Sequence, residues 1–150
     1  MSSSYTNLMY HIVFGTKGRR NLIAANFQKP LHEYLGGAVR GEGGTAIIVG
    51  GVAEHVHILA RLRQDKAVSN VIRAIKANSS AWLKQKFPAL STFAWQRGYG
   101  AFTVSQSRRD HVRRYIEGQA EHHRQISFEE EFIALLKAHH IEFDERYLWD

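Results

Sequence analysis

The chain contains no cysteine in its 150 residues. That excludes disulfides and thiolate metal sites, so a bound metal would have to rely on histidine, carboxylates or amides. It also fits a reducing cytoplasm. No run of 18 or more apolar residues occurs, which leaves no candidate membrane-spanning helix. The opening MSSSYTNLMYHIVF lacks a basic segment followed by an apolar core, so no signal peptide is expected. Internal repeats, low-complexity segments and long linkers are missing too, and a single domain over residues 1–150 is expected. Acidic residues are scarce until late in the chain. Residues 1–120 hold 17 Lys and Arg against 6 Asp and Glu, whereas residues 121–150 hold 3 against 8. A basic body with an acidic tail points to a polyanionic partner, nucleic acid first.

What is present reads as alternating strands and helices. LMYHIVF (residues 8–14) is a strand, ended by the turn-like, basic GTKGRR. Phe27, Leu31, Tyr34, Leu35 and Ala38 have helical spacing over residues 27–40. GTAIIVGGV and HVHILARL form a predicted hairpin joined near Gly50 and Gly51. Apolar residues from Val68 to Phe87 define an amphipathic helix that Pro88 stops. FAWQRGYGAFTVS (93–105) is one strand or a glycine-broken pair, and helices are expected over Ser107–Arg124 and Ser127–His140. The order is β-α-β-β-α-β, predicting an α+β, ferredoxin-like antiparallel sheet with helices on one face, plus C-terminal helices.

In the strand EHVHILARL, His55 and His57 project from one face while Val56 and Ile58 enter the core. Two imidazoles so placed can converge on one cation or act as an acid/base pair; alone they are as readily structural. Glu54 would point to the other face of a regular strand and is not counted as a ligand. On the helix following the last strand, His111, Tyr115 and Gln119 share one face beside an apolar stripe of Val112, Ile116 and Ala120. That face is equally compatible with a solvated surface. His122 and His123 read as packing or surface residues.

Taken together, HVH on the strand after a hairpin and YIEGQ on a late helix resemble the single-tyrosine HUH transposases of small insertion sequences. The likeness extends through YHIVFGTKGR and WQRGYGAFTVS over nearly the whole chain. It implies an enzyme that cuts and rejoins single-stranded DNA, with His55, His57 and Gln119 as metal ligands and Tyr115 as nucleophile. His111 is given no role by the resemblance. The implied product is a 5′-phosphotyrosine with a free 3′-OH, which stores the bond energy for rejoining. A neutral ligand set leaves much of the ion's charge for the phosphate, and Mg²⁺ or Mn²⁺ fits better than Zn²⁺. The family also implies hairpin-forming element ends as substrate and a homodimer with shared active sites, although related repeat-associated enzymes can be monomeric.

DNA contacts are expected from Arg73, Lys76 and Lys84 on one helix stripe, from Lys17, Arg19 and Arg20 in the first loop, and from Arg108, Arg109, Arg113 and Arg114 around the tyrosine helix. Trp95, Tyr99 and Phe102 could stack on bases, but a strand pair of this length needs them as core. The segment from Glu129 to Asp150 could pack on a partner or shield the basic face. The alternative is a non-catalytic ferredoxin-like nucleic-acid-binding module. A two-histidine phosphoesterase expects two H-x-[ST] motifs, and the chain has none.

Overall fold

A computed structural model describes residues 3–149; Asp150, at the end of the acidic tail, lies outside them. The elements are β1 (Leu8–Gly15), α1 (Ala25–Gly41), β2 (Thr45–Val52), β3 (His55–Leu62), α2 (Val68–Lys86), β4 (Gly100–Thr103), α3 (Arg109–Glu117), α4 (Gln119–His122) and α5 (Phe128–Ala138). All neighbours in the sheet are antiparallel, in the order β2-β3-β1-β4. This is the ferredoxin-like arrangement expected from the element order.

Side-chain alternation gives the sheet two buried faces. On one, Ile12, Phe14, Val56, Ile58 and Leu62 meet Leu31, Leu35 and Val39 of α1 and Val71, Ile72, Ile75 and Leu83 of α2. Each such side chain contributes about 1.5–3 kcal/mol when withdrawn from water. On the other, Met9 and Leu59 pack on Ile116 of α3, while Val13 and Phe102 pack on Phe128, Phe132 and Leu136 of α5. The C-terminal helices therefore cover the face that carries His55 and His57.

Three features depart from the sequence-based expectation, the first being that β2 and β3 are joined at Ala53 and Glu54, with Gly50 and Gly51 inside β2. Within residues 93–105 only Gly100–Thr103 forms a strand, and Trp95 makes a single bridge to Thr16. The carbonyls of Gln96, Arg97 and Gly98 turn instead to the Lys76 ammonium, at 2.6, 3.1 and 2.9 Å. The helix expected over Ser107–Arg124 is broken at Gly118, which separates α3 from α4. α5 opens with a capping box: Ser127 Oγ accepts from the Glu130 N–H at 3.1 Å, and the Ser127 N–H donates to Glu130 Oε1 at 3.4 Å. Beyond α5 the tail folds back, with Phe143, Leu148 and Trp149 packed on the Phe128–Phe132 cluster.

Candidate active site

Two glycines make room for the histidine pair. Gly15 of β1 stands opposite His55, and Gly50 of β2 stands opposite His57. A Cβ at Gly15 would lie 2.7 Å from the Phe128 ring, which itself stacks on His55 at 4.0 Å between centroids. A Cβ at Gly50 would lie 2.7 Å from the Ile116 carbonyl oxygen. Without these side chains α5 and α3 settle directly on the sheet. That contact carries Tyr115 to the histidines, its ring 5.8 Å from that of His57.

His55 and His57 are fully buried. Each ring is held from outside the cluster through Nδ1. His55 Nδ1 donates to Glu54 Oε1 at 2.7 Å, and His57 Nδ1 lies 2.7 Å from His11 Nε2. Both Nε2 atoms therefore face inward, as outer partners commonly arrange for metal-ligating histidines. Gln119 Oε1 lies 3.0 Å from His55 Nε2. Between the rings stands a residue not anticipated from sequence, Glu131 of α5. Its Oε1 lies 3.2 Å from His55 Nε2, 3.1 Å from His57 Nε2 and 3.0 Å from His123 Nε2. Its Oε2 accepts from the Tyr115 hydroxyl and, at 3.0 Å, from the Gln119 amide.

Proton counting shows what this arrangement is missing. Glu54 and the Ile126 carbonyl are acceptors only, so His55 and His123 each carry a proton on Nδ1. In neutral form both rings then turn a lone pair toward Glu131 Oε1, and His55 also toward Gln119 Oε1. Lone pairs meeting oxygens require either added protons or a cation between them. His55, His57 and Glu131 are spaced as a metal-ligating set, with their donor atoms within 4.8 Å of one another. The residues present thus fit a divalent ion.

Burial and the Glu131 carboxylate together set the electrostatics of the cluster. Burial disfavours a charged His55, but hydrogen bonds to Glu131 and Glu54 outweigh it and raise its pKa above the ordinary value. Burial dominates for His57 and His11, whose pKa values fall to about 4 and about 3. Burial alone would raise the Glu131 carboxyl. Hydrogen bonds from His123, His55 and His57 overcome this and hold it well below the usual carboxylate range. The Tyr115 hydroxyl is pushed up, first by burial and then by the Glu131 carboxylate. In the absence of a cation, Tyr115 stays a phenol and Glu131 stays an anion. Direct proton transfer between them is uphill.

Of the residues expected at a site, His55, His57, Tyr115 and Gln119 meet within one chain. His111 is exposed and lines a cleft of about 660 Å³ that also reaches Arg108, Tyr115 and Glu131. Glu54 does not point away from His55: it lies in the turn before β3, where strand alternation has not begun, and folds back onto the ring. Of the two readings of His123, packing holds, since its side chain is 9% exposed against Glu131.

The basic residues divide. Lys17, Arg20, Arg73, Lys84, Arg108, Arg113 and Arg114 are exposed, with Arg113 also paired to Glu117 at 3.2 Å. Arg109 is half-buried beside Asp110. Arg19 is taken up by the C-terminal segment, 3.0 Å from Glu129 and 4.4 Å above the Trp149 ring. All three donors of Lys76 go to backbone carbonyls, and burial lowers its pKa to about 8. Lys76 thus anchors the loop of Gln96, Arg97 and Gly98. The α2 stripe also lies on the sheet face opposite the histidines. Trp95 and Phe102 are core residues, and Tyr99 alone of the three aromatics is exposed.

Comparison with known proteins relates most of the chain to transposases. The profile described as "Transposase IS200 like" matches residues 4–119. The chain is similar to the ISDra2 transposase TnpA of Deinococcus radiodurans R1, with 25% identity over 117 residues covering 75% of this chain and 84% of that protein. Its fold is similar to the crystal structure of a candidate transposase from Deinococcus radiodurans R1, at a TM-score of 0.64 and 22% identity over 79% of this chain and 95% of that one. It is also similar to a REP-associated tyrosine transposase bound to a REP hairpin, at a TM-score of 0.59 and 19% identity over 84% of this chain and 76% of that one.

Proposed function

This chain belongs to the IS200-like transposase family, and from that premise we propose that it cuts and rejoins single-stranded DNA through covalent attack by Tyr115. The observation that carries the reading is the meeting of Tyr115 and Gln119 with both histidines around Glu131 in a single chain. A non-catalytic DNA-binding module has no need to hold a tyrosine hydroxyl beside two inward-facing imidazoles.

Tyr115 Oη would form a bond to phosphorus as the P–O3′ bond breaks. The phenolic proton would pass to water, the 3′-oxygen would take up a proton from water, and the DNA 5′ end would remain on the enzyme as a phosphotyrosine. A second 3′-OH reverses the step, so no external energy source is required. His55, His57 and Gln119 would hold a divalent ion, Mg²⁺ or Mn²⁺, whose charge polarises the scissile phosphate and favours departure of the 3′-oxygen. His11 and Glu54 keep the two rings turned inward. The cleft beside Tyr115, with Arg108 at its rim, is the path for the strand, and Arg113 and Arg114 lie on the same helix to meet its phosphates.

Folded element ends are the proposed substrate, a reading supported by the hairpin-bound relative. Because one chain assembles the whole cluster, the reading favours sites that work without a tyrosine from a second subunit. The test is to incubate labelled hairpin DNA bearing a single-stranded flank with the protein and Mn²⁺. An SDS-stable adduct is expected, absent in Tyr115→Phe; an undiminished adduct in that variant would refute the nucleophile. Mixing His57→Ala with Tyr115→Phe protein tests sharing. Recovered cleavage would show that subunits exchange the tyrosine.

A further inference from the structure

We propose that Glu131 is a fourth protein ligand of the ion held by His55, His57 and Gln119, binding through Oε1 while Oε2 holds the Tyr115 hydroxyl. This deepens the proposed reading of the site and rests on it. Glu131 lies on α5, twelve residues beyond the last position matched by the family profile (residues 4–119). No role for it follows from the matched segment.

Three observations support the assignment. First, the spacing is that of ligands around one centre. Two donor atoms each about 2.1 Å from an octahedral ion at right angles lie about 3.0 Å apart. The pairs His55 Nε2–Glu131 Oε1, His57 Nε2–Glu131 Oε1 and His55 Nε2–Gln119 Oε1 measure 3.2, 3.1 and 3.0 Å. Second, in the neutral ring, with Nδ1 donating to Glu54, the His55 Nε2 lone pair faces two oxygens, Gln119 Oε1 and Glu131 Oε1. A cation satisfies all three at once. Third, Glu131 is 1% exposed on an otherwise apolar helix face, between Phe128 and Phe132. A carboxylate is costly there unless charge meets it.

The consequence concerns both the ion and the nucleophile. An anionic ligand binds a hard divalent ion more tightly than the neutral set expected from sequence, and it leaves the ion less positive. Four protein ligands would still leave the ion accessible to substrate oxygens. Through Oε2 the same side chain ties Tyr115 to the ion site, so the nucleophile is aligned by the group that helps hold the ion.

The experiment titrates the full chain with Mn²⁺ and reads free Mn²⁺ by EPR, with no DNA present. Wild-type protein is expected to take up one ion, and His57→Ala to lose that uptake. Glu131→Gln, with its far-UV circular dichroism unchanged, should bind at least tenfold more weakly. Glu131→Ala should regain part of its affinity when acetate is added. Glu131→Gln binding within twofold of wild type, while His57→Ala does not bind, would overturn the assignment and leave the histidine site intact. If Glu131→Gln does not fold, Glu131→Ala decides, and equal binding with and without acetate overturns it. No uptake by wild type, or undiminished uptake by His57→Ala, would refute the ion site itself.

Discussion

Replacing Gly50 with alanine tests whether the seating of α3 on the sheet sets the distance from Tyr115 to the histidines. The new methyl would lie 2.7 Å from the Ile116 carbonyl oxygen and 2.8 Å from Ile116 Cγ2. Favourable non-bonded contact begins near ~3.5 Å, so α3 must retreat by about 0.7 Å. Ile116 adjoins Tyr115, whereas His55 and His57 belong to β3 and Glu131 to α5. The tyrosine therefore moves while most of the cluster stays. A displacement on the order of 1 Å costs about 100-fold in rate, so adduct formation should slow by roughly 10- to 100-fold. Overpacking adds a loss of about 1–3 kcal/mol in stability. Single-turnover adduct formation on labelled hairpin DNA measures the first effect, and urea unfolding the second. Gly41→Ala is the control: a Cβ there meets nothing within 4 Å, so the rate should not change. A Gly50→Ala protein with wild-type rate and stability would refute the idea that close packing positions Tyr115.

Other expectations follow from single contacts. Ser127→Ala removes the cap of α5 and should cost about 1 kcal/mol in urea unfolding; no loss would mean the capping box does not stabilise the helix. Lys76→Met should leave the slope of log affinity against log salt unchanged, because its three donors already face carbonyls. Arg114→Ala should reduce that slope by about 1, and equal slopes for the two variants would reject this division. Acid should destabilise the fold. His11 and His57 are held at about 3 and about 4 by burial, while the unfolded chain takes up these protons near ~6.5. The stability they contribute is present above that value and is lost as pH falls toward 4. His55 acts in the opposite sense, since its raised pKa adds stability as pH falls through ~6.5, but it is one group against two. A urea midpoint that does not fall between pH 7 and pH 5 would contradict the buried neutral rings.

The elements most legible in the sequence are those fixed by their own periodicity. β2 and β3 are visible because buried strands select runs such as AIIV and HILARL, and α2 because its apolar residues recur at helical spacing. The bent segment before β4 is not visible, since its cause is Lys76, twenty residues away from Gln96 in the chain. At the site, the two-residue spacing of His55 and His57 and the four-residue spacing of Tyr115 and Gln119 each signal a shared face. His11 has no such partner: in YHIVFG it sits as a lone polar residue in an apolar strand, and only the pairing of β1 with β3 brings it to His57. Glu131 is concealed differently. Its acidic neighbours Glu129 and Glu130 make it look like one more charge of a solvated turn. Yet it occupies the helical stripe of Phe128, Phe132 and Leu136, where the other residues are buried and apolar. A carboxylate on that stripe was the available signal.

The histidine pair depends on the second buried face of the sheet more than on the strand that bears it. A strand reading HVH with one side in water would leave both rings free to titrate near ~6.5 and to rotate. Here Phe128 lies flat on His55, and His11 and Glu54 fix the outer nitrogens. All four residues singled out by the sequence touch Glu131. The matched segment, residues 4–119, supplies the histidines, the tyrosine and the glutamine, but the group that they converge on comes from α5. The segment after Tyr115 thus contributes to the same cluster, and on the proposed reading a substitution confined to α5 should disturb ion uptake and tyrosine placement together.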